Sequence, residues 1–90
     1  MEQFVLNIIY VRVIIMLIER IRNLREDKDL TQAYIGTKIN VPQRTYSYYE
    51  NGQRTIPPEV LIRLADFHEV SVDYLLGRTN VKTPYPQNAK

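Results

Sequence analysis

Residues 30–57 constrain the fold more than any other part of this chain, because they predict two short helices joined by a tight turn. Thr31 is a favourable N-cap for a first helix over residues 32–39, since its hydroxyl can accept a hydrogen bond from the first turn. Asn40 stands where the turn needs a left-handed backbone, a conformation that Asn tolerates better than most residues. The segment therefore predicts a helix, a turn and a second helix.

The second helix of this pair, predicted over residues 42–51, has one apolar and one polar edge. Pro42 suits its first turn, where backbone donors have no partner within the helix, and Gly52 is placed to end it as a C′ residue. Its inward positions hold Val41, Tyr46 and Tyr49. Its outer edge holds Gln43, Arg44, Ser47 and Tyr48. A helix with such a polar outer edge has the size and shape to lie in the major groove of DNA.

Three further helices are predicted around this pair. Residues 17–27 form the first, with Ile18, Ile21 and Leu24 along one face. A fourth helix is expected over residues 58–68, with Leu61, Leu64 and Ala65 turned inward. Ser71 caps a short fifth helix, which Gly77 ends. The chain therefore predicts an all-α fold of five short helices, followed by a flexible polar tail over residues 79–90.

Residues 1–16 form an apolar N-terminal arm with two possible conformations. Its helical stripe consists of Phe4, Ile8, Val11, Ile15 and Ile18. Alternation of Val11, Val13 and Ile15 instead fits a strand, which their β-branching favours. An ordered arm must bury its apolar surface, and a second subunit is the simplest partner. Another interpretation is that translation begins at Met16, which would make residues 1–15 an upstream extension.

The arm does not resemble a membrane anchor or an export signal. A membrane helix needs ~20 apolar residues, and this run is shorter and broken by Asn7 and Arg12. A secretory signal would begin with positive charge and end at a small-residue cleavage site, whereas this segment carries Glu2 at its start. We therefore expect no association with a membrane.

The composition leaves little material for catalysis. The 90 residues include no cysteine and one histidine, which excludes disulfides and thiolate metal sites and fits a reduced, cytoplasmic environment. No pair of catalytic groups can be assembled from the remaining side chains. The sequence therefore predicts a protein that is not an enzyme and that uses neither a cofactor nor a metal ion.

The charged residues are distributed unevenly along the chain. Residues 31–56 carry three basic side chains and one acidic side chain, whereas residues 57–77 carry one basic and four acidic side chains. A further three basic side chains follow in residues 78–90. A basic surface backed by an acidic far side would orient the protein on a polyanion, although charges scattered over a solvated surface are an equally good interpretation.

Three short motifs at this spacing resemble the lambda-repressor-like, Cro/Xre helix-turn-helix family. They are Leu-Thr-Gln at residues 30–32, Glu-Asn-Gly at 50–52 and Val-Ser-Val-Asp-Tyr-Leu-Leu-Gly at 70–77. The resemblance covers about residues 17–78 and implies a compact five-helix DNA-binding domain. Several positions depart from the family. Gly36 replaces the usual Ala, Asn40 the usual Gly, and Tyr46 and Tyr49 the usual branched aliphatic residues. His68 stands where relatives carry a large apolar residue. We expect His68 to be a buried neutral side chain.

The resemblance also implies roles for individual residues. Gln43, Arg44, Ser47 and Tyr48 match the positions that read base edges. Gln32 matches a glutamine that clamps a phosphate. Asn51, Gln53 and Arg54 match a loop that touches the DNA backbone. Arg25 and Glu50 match a salt bridge that fixes the angle of the reading helix. Ordinary solvated helix faces and turns are the alternative interpretation of these polar side chains.

The function implied by this resemblance is sequence-specific regulation of transcription, with repression as the expected direction. The partner would be double-stranded DNA with a pseudo-palindromic site, bound by a homodimer, and a regulatory protein partner is also possible. The alternative is that the protein is a protein-interaction module, such as an antitoxin or anti-regulator. In that case the apolar arm or the last two helices would bind another protein.

Overall fold

The computed structural model describes residues 2–84 and 86, with side chains from residue 5 onward. Its elements are five α-helices: α1 (Glu2–Asp27), α2 (Gln32–Lys38), α3 (Gln43–Glu50), α4 (Pro58–His68) and α5 (Val72–Leu75). No strand is present among the described residues. The predicted all-α fold with five helices is therefore confirmed.

The apolar arm is helical from residue 2 onward and continuous with the first predicted helix. Helix α1 has 26 residues, so the division predicted after residue 16 marks a change in burial and not a break in the backbone. On the core-facing side of its second half, the buried side chains are Leu17, Ile21 and Leu24. The large apolar side chains of its first half remain exposed or only partly covered.

The turn between α2 and α3 is fixed by local contacts that the sequence predicts. The Thr31 hydroxyl accepts a hydrogen bond from the Tyr34 backbone N–H at 3.0 Å, and Asn40 has a left-handed φ of 61°. The Val41 N–H then donates to the Gly36 carbonyl at 2.9 Å. A Cβ added at Gly36 would lie 2.9 Å from the Val41 carbonyl oxygen. The close approach of the two helices therefore requires a very small residue here.

Helix α3 is shorter by one residue at each end than the predicted range 42–51. Pro42 is its N-cap, with an extended ψ of 148°, so the proline precedes the first turn instead of lying within it. Asn51 is the C-cap. Gly52 follows with a left-handed φ of 73°, and its N–H donates to the Tyr49 carbonyl at 3.2 Å.

The core lies between α1 and the four shorter helices. Its buried apolar side chains are Leu17, Ile21, Leu24, Ile35, Ile39, Tyr46, Tyr49, Val60, Leu64, Ala65, Val70 and Leu75. Tyr46 and Tyr49 of α3 are therefore core residues. His68, at the C-terminal end of α4, is 4% exposed and its Nδ1 lies 3.2 Å from the Lys28 ammonium.

The residues that follow α5 are held against the domain as far as Lys82. The Arg20 guanidinium donates to the Thr79 carbonyl at 2.7 Å and to Asn80 Oδ1 at 2.8 Å. The Ser71 N–H donates to the Lys82 carbonyl at 3.0 Å. The first part of the polar tail thus has specific contacts, and the flexibility of the segment as a whole stays a prediction. None of the described helices is long and apolar enough to cross a membrane.

Candidate nucleic-acid interface

One open concave surface on α3 and its surroundings gathers most of the polar side chains singled out from the sequence. We call it the polar groove; its lining residues are Gln32, Gln43, Arg44, Ser47, Tyr48, Asn51 and Gln53. They come from the start of α2, the outer edge of α3 and the loop after α3. The fold therefore brings seven of the eight residues with predicted DNA contacts onto one continuous surface.

The first turn of α3 presents two exposed side chains to the groove. Gln43 and Arg44 are both exposed, while Ser47 and Tyr48, one turn later, are half-buried. Side chains at the N-terminal end of a recognition helix are the ones that reach base edges in the major groove. Gln43 and Arg44 are therefore free to make contacts, whereas Ser47 and Tyr48 are partly fixed by their surroundings.

The eighth predicted residue, Arg54, lies beside the groove. Its guanidinium carbon is 4.9 Å from the centroid of the Tyr48 ring, a distance at which a cation is attracted to the ring face. Asn51 Nδ2 donates to Gln53 Oε1 at 3.4 Å. These contacts connect the loop after α3 to the outer edge of the helix and place one positive charge at that end of the groove.

Beneath the groove, Arg25 of α1 is paired with Glu50, the last residue of α3. Arg25 Nε donates to Glu50 Oε2 at 2.7 Å and its Nη2 donates to Oε1 at 3.0 Å. The Glu50 side chain is 2% exposed, against 15% for that of Arg25. Such a two-point contact between planar groups fixes their relative orientation as well as their distance.

Glu50 also receives contacts that the sequence alone did not reveal. Gln32 Nε2 donates to Glu50 Oε1 at 3.1 Å, which ties the start of α2 to the end of α3. Arg22 Nη2 donates to the Glu50 backbone carbonyl at 2.6 Å. The position of Arg22, three residues before Arg25 and so on the same side of α1, is the signal that could have suggested its participation.

These contacts keep Glu50 ionised although it is buried. Burial by itself would raise the pKa of Glu50, but hydrogen bonding, chiefly from Arg25, outweighs it and the pKa is lowered. Burial raises the pKa of Tyr46, and the neighbouring Glu50 carboxylate adds to the effect. The Tyr46 hydroxyl itself makes no hydrogen bond of ordinary geometry within the described part of the chain.

Sequence comparisons connect this architecture with known proteins. A family model described as helix-turn-helix matches residues 21–75. The chain is 36% identical over 69 residues to the uncharacterized HTH-type transcriptional regulator YobD of Bacillus subtilis (strain 168), covering 77% of this chain and 62% of that protein. It is 35% identical over 72 residues to the HTH-type transcriptional regulator AnsR of the same strain, covering 80% and 62%.

The chain is also similar to a phage repressor. The chain is 37% identical over 60 residues to the cryptic phage CTXphi transcriptional repressor RstR of Vibrio cholerae serotype O1, covering 67% of this chain and 54% of RstR. The chain thus matches only about six tenths of the length of YobD and AnsR. No solved structure matches it. The family match over residues 21–75 and the five-helix fold establish that the chain belongs to the Cro/Xre-like helix-turn-helix family.

Proposed function

We propose that the protein is a sequence-specific DNA-binding repressor of transcription that places α3 in the major groove. It acts in the cytoplasm as a binding protein and has no catalytic role. The observation that carries this proposal is the polar groove, which side chains from three segments line around α3. The similarity to AnsR, a transcriptional regulator, supports a role in transcription. The similarity to RstR, a transcriptional repressor, supports repression as the outcome.

Base reading is assigned to the outer edge of α3. Arg44 has the geometry to donate two hydrogen bonds to O6 and N7 of guanine, and Gln43 can make a two-point contact with adenine. Both side chains are exposed at the start of the helix. Ser47 and Tyr48 contribute one turn further along, where Tyr48 can pack on a thymine methyl group. Discrimination between sequences therefore rests on four side chains.

Phosphate binding is assigned to the two ends of the polar groove. The Gln32 amide carries two N–H donors; one is held by Glu50, and the other can bond a phosphate oxygen together with the free backbone N–H groups of the first turn of α2. Asn51, Gln53 and Arg54 provide the second contact, in the loop after α3. Such contacts position the protein on the duplex but carry no sequence information.

The paired side chains under the groove hold the reading helix in place. Arg25 is a residue of α1, whereas Glu50 is the last residue of α3. Their two-point contact therefore fixes the angle between the recognition helix and the long helix that crosses it. Gln32 shares the same carboxylate, so the phosphate contact and the base-reading helix are positioned by a single group.

The binding unit on DNA is a pair of copies. One α3 covers only a short half-site, and two copies related by a twofold axis would occupy a pseudo-palindrome with half-site centres ~34 Å apart. Regulation of the pair by a further protein partner is compatible with this arrangement.

Selection of bound sequences from random DNA tests the proposal directly. We expect an enriched pseudo-palindrome whose half-sites are one helical turn apart. Binding to the selected site should weaken steeply with salt, by ~10³–10⁵ between 50 and 200 mM if the pair contacts ~6–10 phosphates. The absence of any enriched sequence, together with a flat salt response, would favour the alternative function as a protein-interaction module.

A further inference from the structure

Arg22 of α1 closes the C-terminal end of α3. Its Nη2 donates to the Glu50 backbone carbonyl at 2.6 Å, and its Nε lies 3.9 Å from the Oε1 atom of the Glu50 carboxylate. The Arg22 side chain is 41% exposed, against 15% for that of Arg25, which bonds the same carboxylate. Arg22 is therefore the more exposed of the two arginines at this end of the helix.

The loop after α3 supplies backbone N–H groups to three of the last four carbonyls of the helix. Their acceptors are the carbonyls of Ser47, Tyr48 and Tyr49. The fourth carbonyl, that of Glu50, is bonded by Arg22. Because the last four carbonyls of a helix have no partner within it, the Arg22 side chain completes a set that the backbone leaves one short.

The C-terminal end of α3 requires a cation if it is to lie near DNA. A helix carries a partial negative charge at its C-terminus, and α3 ends in Glu50 without a basic side chain in its last turn. Both features would repel phosphate groups. Arg22 supplies a positive charge from the neighbouring helix α1, since an arginine side chain stays protonated in proteins.

The cluster around Glu50 carries one positive charge in excess. The lowered pKa of Glu50 keeps its carboxylate ionised, and Arg25 donates to both of its oxygens, at 2.7 and 3.0 Å. One carboxylate thus faces two guanidinium groups. Glu50 is also the one acidic partner of Arg22 among the residues that the structure describes. The charge of Arg22 is therefore available to an anion from outside the chain.

Residues next to this cluster line the polar groove. Asn51 follows Glu50 in the chain, and Gln32 donates to the Glu50 oxygen that lies 3.9 Å from Arg22. Both Gln32 and Asn51 line the groove, and each is one of the side chains proposed to contact phosphate. The Arg22 guanidinium therefore lies beside residues from both proposed phosphate contacts.

We propose that Arg22 binds a phosphate group of the DNA backbone while it remains bonded to the end of α3. Its guanidinium has five N–H donors, of which the Glu50 carbonyl uses one. The bond to this carbonyl holds the side chain in place before DNA arrives, so less conformational entropy is lost on binding. This inference rests on the proposed function and deepens it, because it adds a phosphate contact from α1 to those from α2 and from the loop after α3.

The salt dependence of DNA binding tests the contact. Arg22→Gln removes the charge but keeps an N–H donor for the Glu50 carbonyl, whereas Arg22→Lys keeps the charge. Each phosphate contact contributes ~0.9 to the slope of log affinity against log salt. On a single half-site we expect Arg22→Gln to make this slope shallower by ~0.9 and Arg22→Lys to keep it. Arg78→Gln, at a side chain that is 72% exposed outside the groove, is the matched control.

The affinity of Arg22→Gln should fall alike on the selected half-site and on unrelated DNA, because phosphate contacts carry no sequence information. The loss should be roughly tenfold at 50 mM salt. Urea unfolding of the same variants is measured alongside. A merely structural role for Arg22 would lower the urea midpoint of Arg22→Gln and leave the salt slope unchanged, and this result would overturn the inference.

NMR on the unmodified protein tests the same contact if Arg22→Gln does not fold. The arginine Nε–H signals are followed while the selected duplex is added, and the spectrum of Arg22→Lys assigns the Arg22 signal. The Arg22 signal should shift on binding, and that of Arg78 should not. An Arg22 signal that is unmoved at saturation would overturn the inference and leave the proposed function standing. A protein that binds no DNA would refute both.

Discussion

Arg25 of α1 and Glu50 of α3 form a two-point salt bridge, with Nε to Oε2 at 2.7 Å and Nη2 to Oε1 at 3.0 Å. The pair connects α1 to the last residue of α3, the proposed reading helix, and Gln32 of the polar groove donates to the same carboxylate. Because Glu50 is 1% exposed, its charge depends on this partner. The geometry of the proposed reading helix is thus coupled to the stability of the domain.

Replacing Arg25 with Ala should destabilise the domain strongly. The variant leaves the buried carboxylate with Gln32 as hydrogen-bond donor and with the Arg22 guanidinium, 3.9 Å away, as its remaining counter-charge. Removing one partner of a buried ion pair costs ~3–5 kcal/mol, and Arg22 should keep the loss at the lower end. Urea unfolding at neutral pH measures the loss. Arg25→Lys keeps the positive charge but loses the two-point contact. Relative to Arg25→Ala, it should restore part of the stability but less of the DNA affinity, because the orientation of α3 is no longer fixed. Glu26→Ala, an exposed neighbour, is the control. An unchanged urea midpoint for Arg25→Ala would contradict this assignment.

Acid should destabilise the protein in a window set by His68. Burial, with a smaller effect from the Lys28 ammonium, lowers the pKa of His68 to about 4. An unfolded histidine titrates near ~6.5, so between these values the unfolded state binds more protons. This contribution to stability is therefore fully present above pH ~6.5 and falls as the pH is lowered towards 4, by on the order of 3 kcal/mol.

His68→Leu should remove this dependence. Its free energy of unfolding should be nearly constant between pH 6.5 and ~4.5, and it should decrease only at lower pH, where the Glu50 carboxylate with its lowered pKa begins to be protonated. Chemical denaturation at several pH values provides the comparison. Parallel stability curves for the two proteins would show that His68 does not cause the acid sensitivity.

Gly36→Ala should lower stability although alanine is the better helix former. The substitution gains ~1 kcal/mol of helix propensity, but the new Cβ would lie 2.9 Å from the Val41 carbonyl oxygen and 3.4 Å from Gln43 Cα. Overpacking against backbone costs ~1–3 kcal/mol. Because Gln43 begins α3, DNA affinity should fall as well. Ala33→Gly, at an exposed site in α2, measures the propensity effect alone. A Gly36→Ala variant more stable by the full propensity gain would refute the close approach.

Deletion of residues 1–15 should leave the helix-turn-helix unit folded. The buried part of α1 begins at Leu17, and the family match begins at residue 21. The loss of the exposed apolar side chains of the arm should shift the protein towards monomer and weaken binding to a two-half-site DNA more than binding to a single half-site. Circular dichroism and sedimentation test both statements. A truncated protein that remains dimeric would place the interface on α4 and α5.

The sequence predicts the helix-turn-helix unit well because its signals are local. Its signals are Thr31, which caps α2, and Asn40 and Gly52, which adopt a left-handed backbone. Each of these features depends only on the residue itself and on backbone groups close to it in the chain. The predicted start of this helix at Pro42 is one residue too early, because Pro42 is the N-cap of α3. The fixed φ of proline suits both the N-cap and the first turn of a helix.

Other features depend on packing and could not be predicted from one sequence. The sequence of residues 1–16 is compatible with both a helix and a strand, and in the structure residues 2–16 are part of the long helix α1. The contact of Gln32 with Glu50 joins residues that are 18 positions apart, and no local pattern reports it. The attachment of residues 79–82 to Arg20 and Ser71 is likewise absent from the sequence prediction, because the Thr79 and Lys82 carbonyls that accept these hydrogen bonds carry no residue signature.

The most direct test of the proposed DNA interface compares Arg44→Ala with Gln32→Ala on the selected DNA site and on single-base variants of it. Arg78→Ala, whose side chain is 72% exposed outside the groove, is the control. If α3 reads bases, Arg44→Ala should lose ~1–3 kcal/mol on the best site and lose its preference at one base position. Gln32→Ala should weaken all sequences alike, because a phosphate contact carries no sequence information. An equal loss for Arg44→Ala on every sequence would contradict the assignment of α3 as the reading helix.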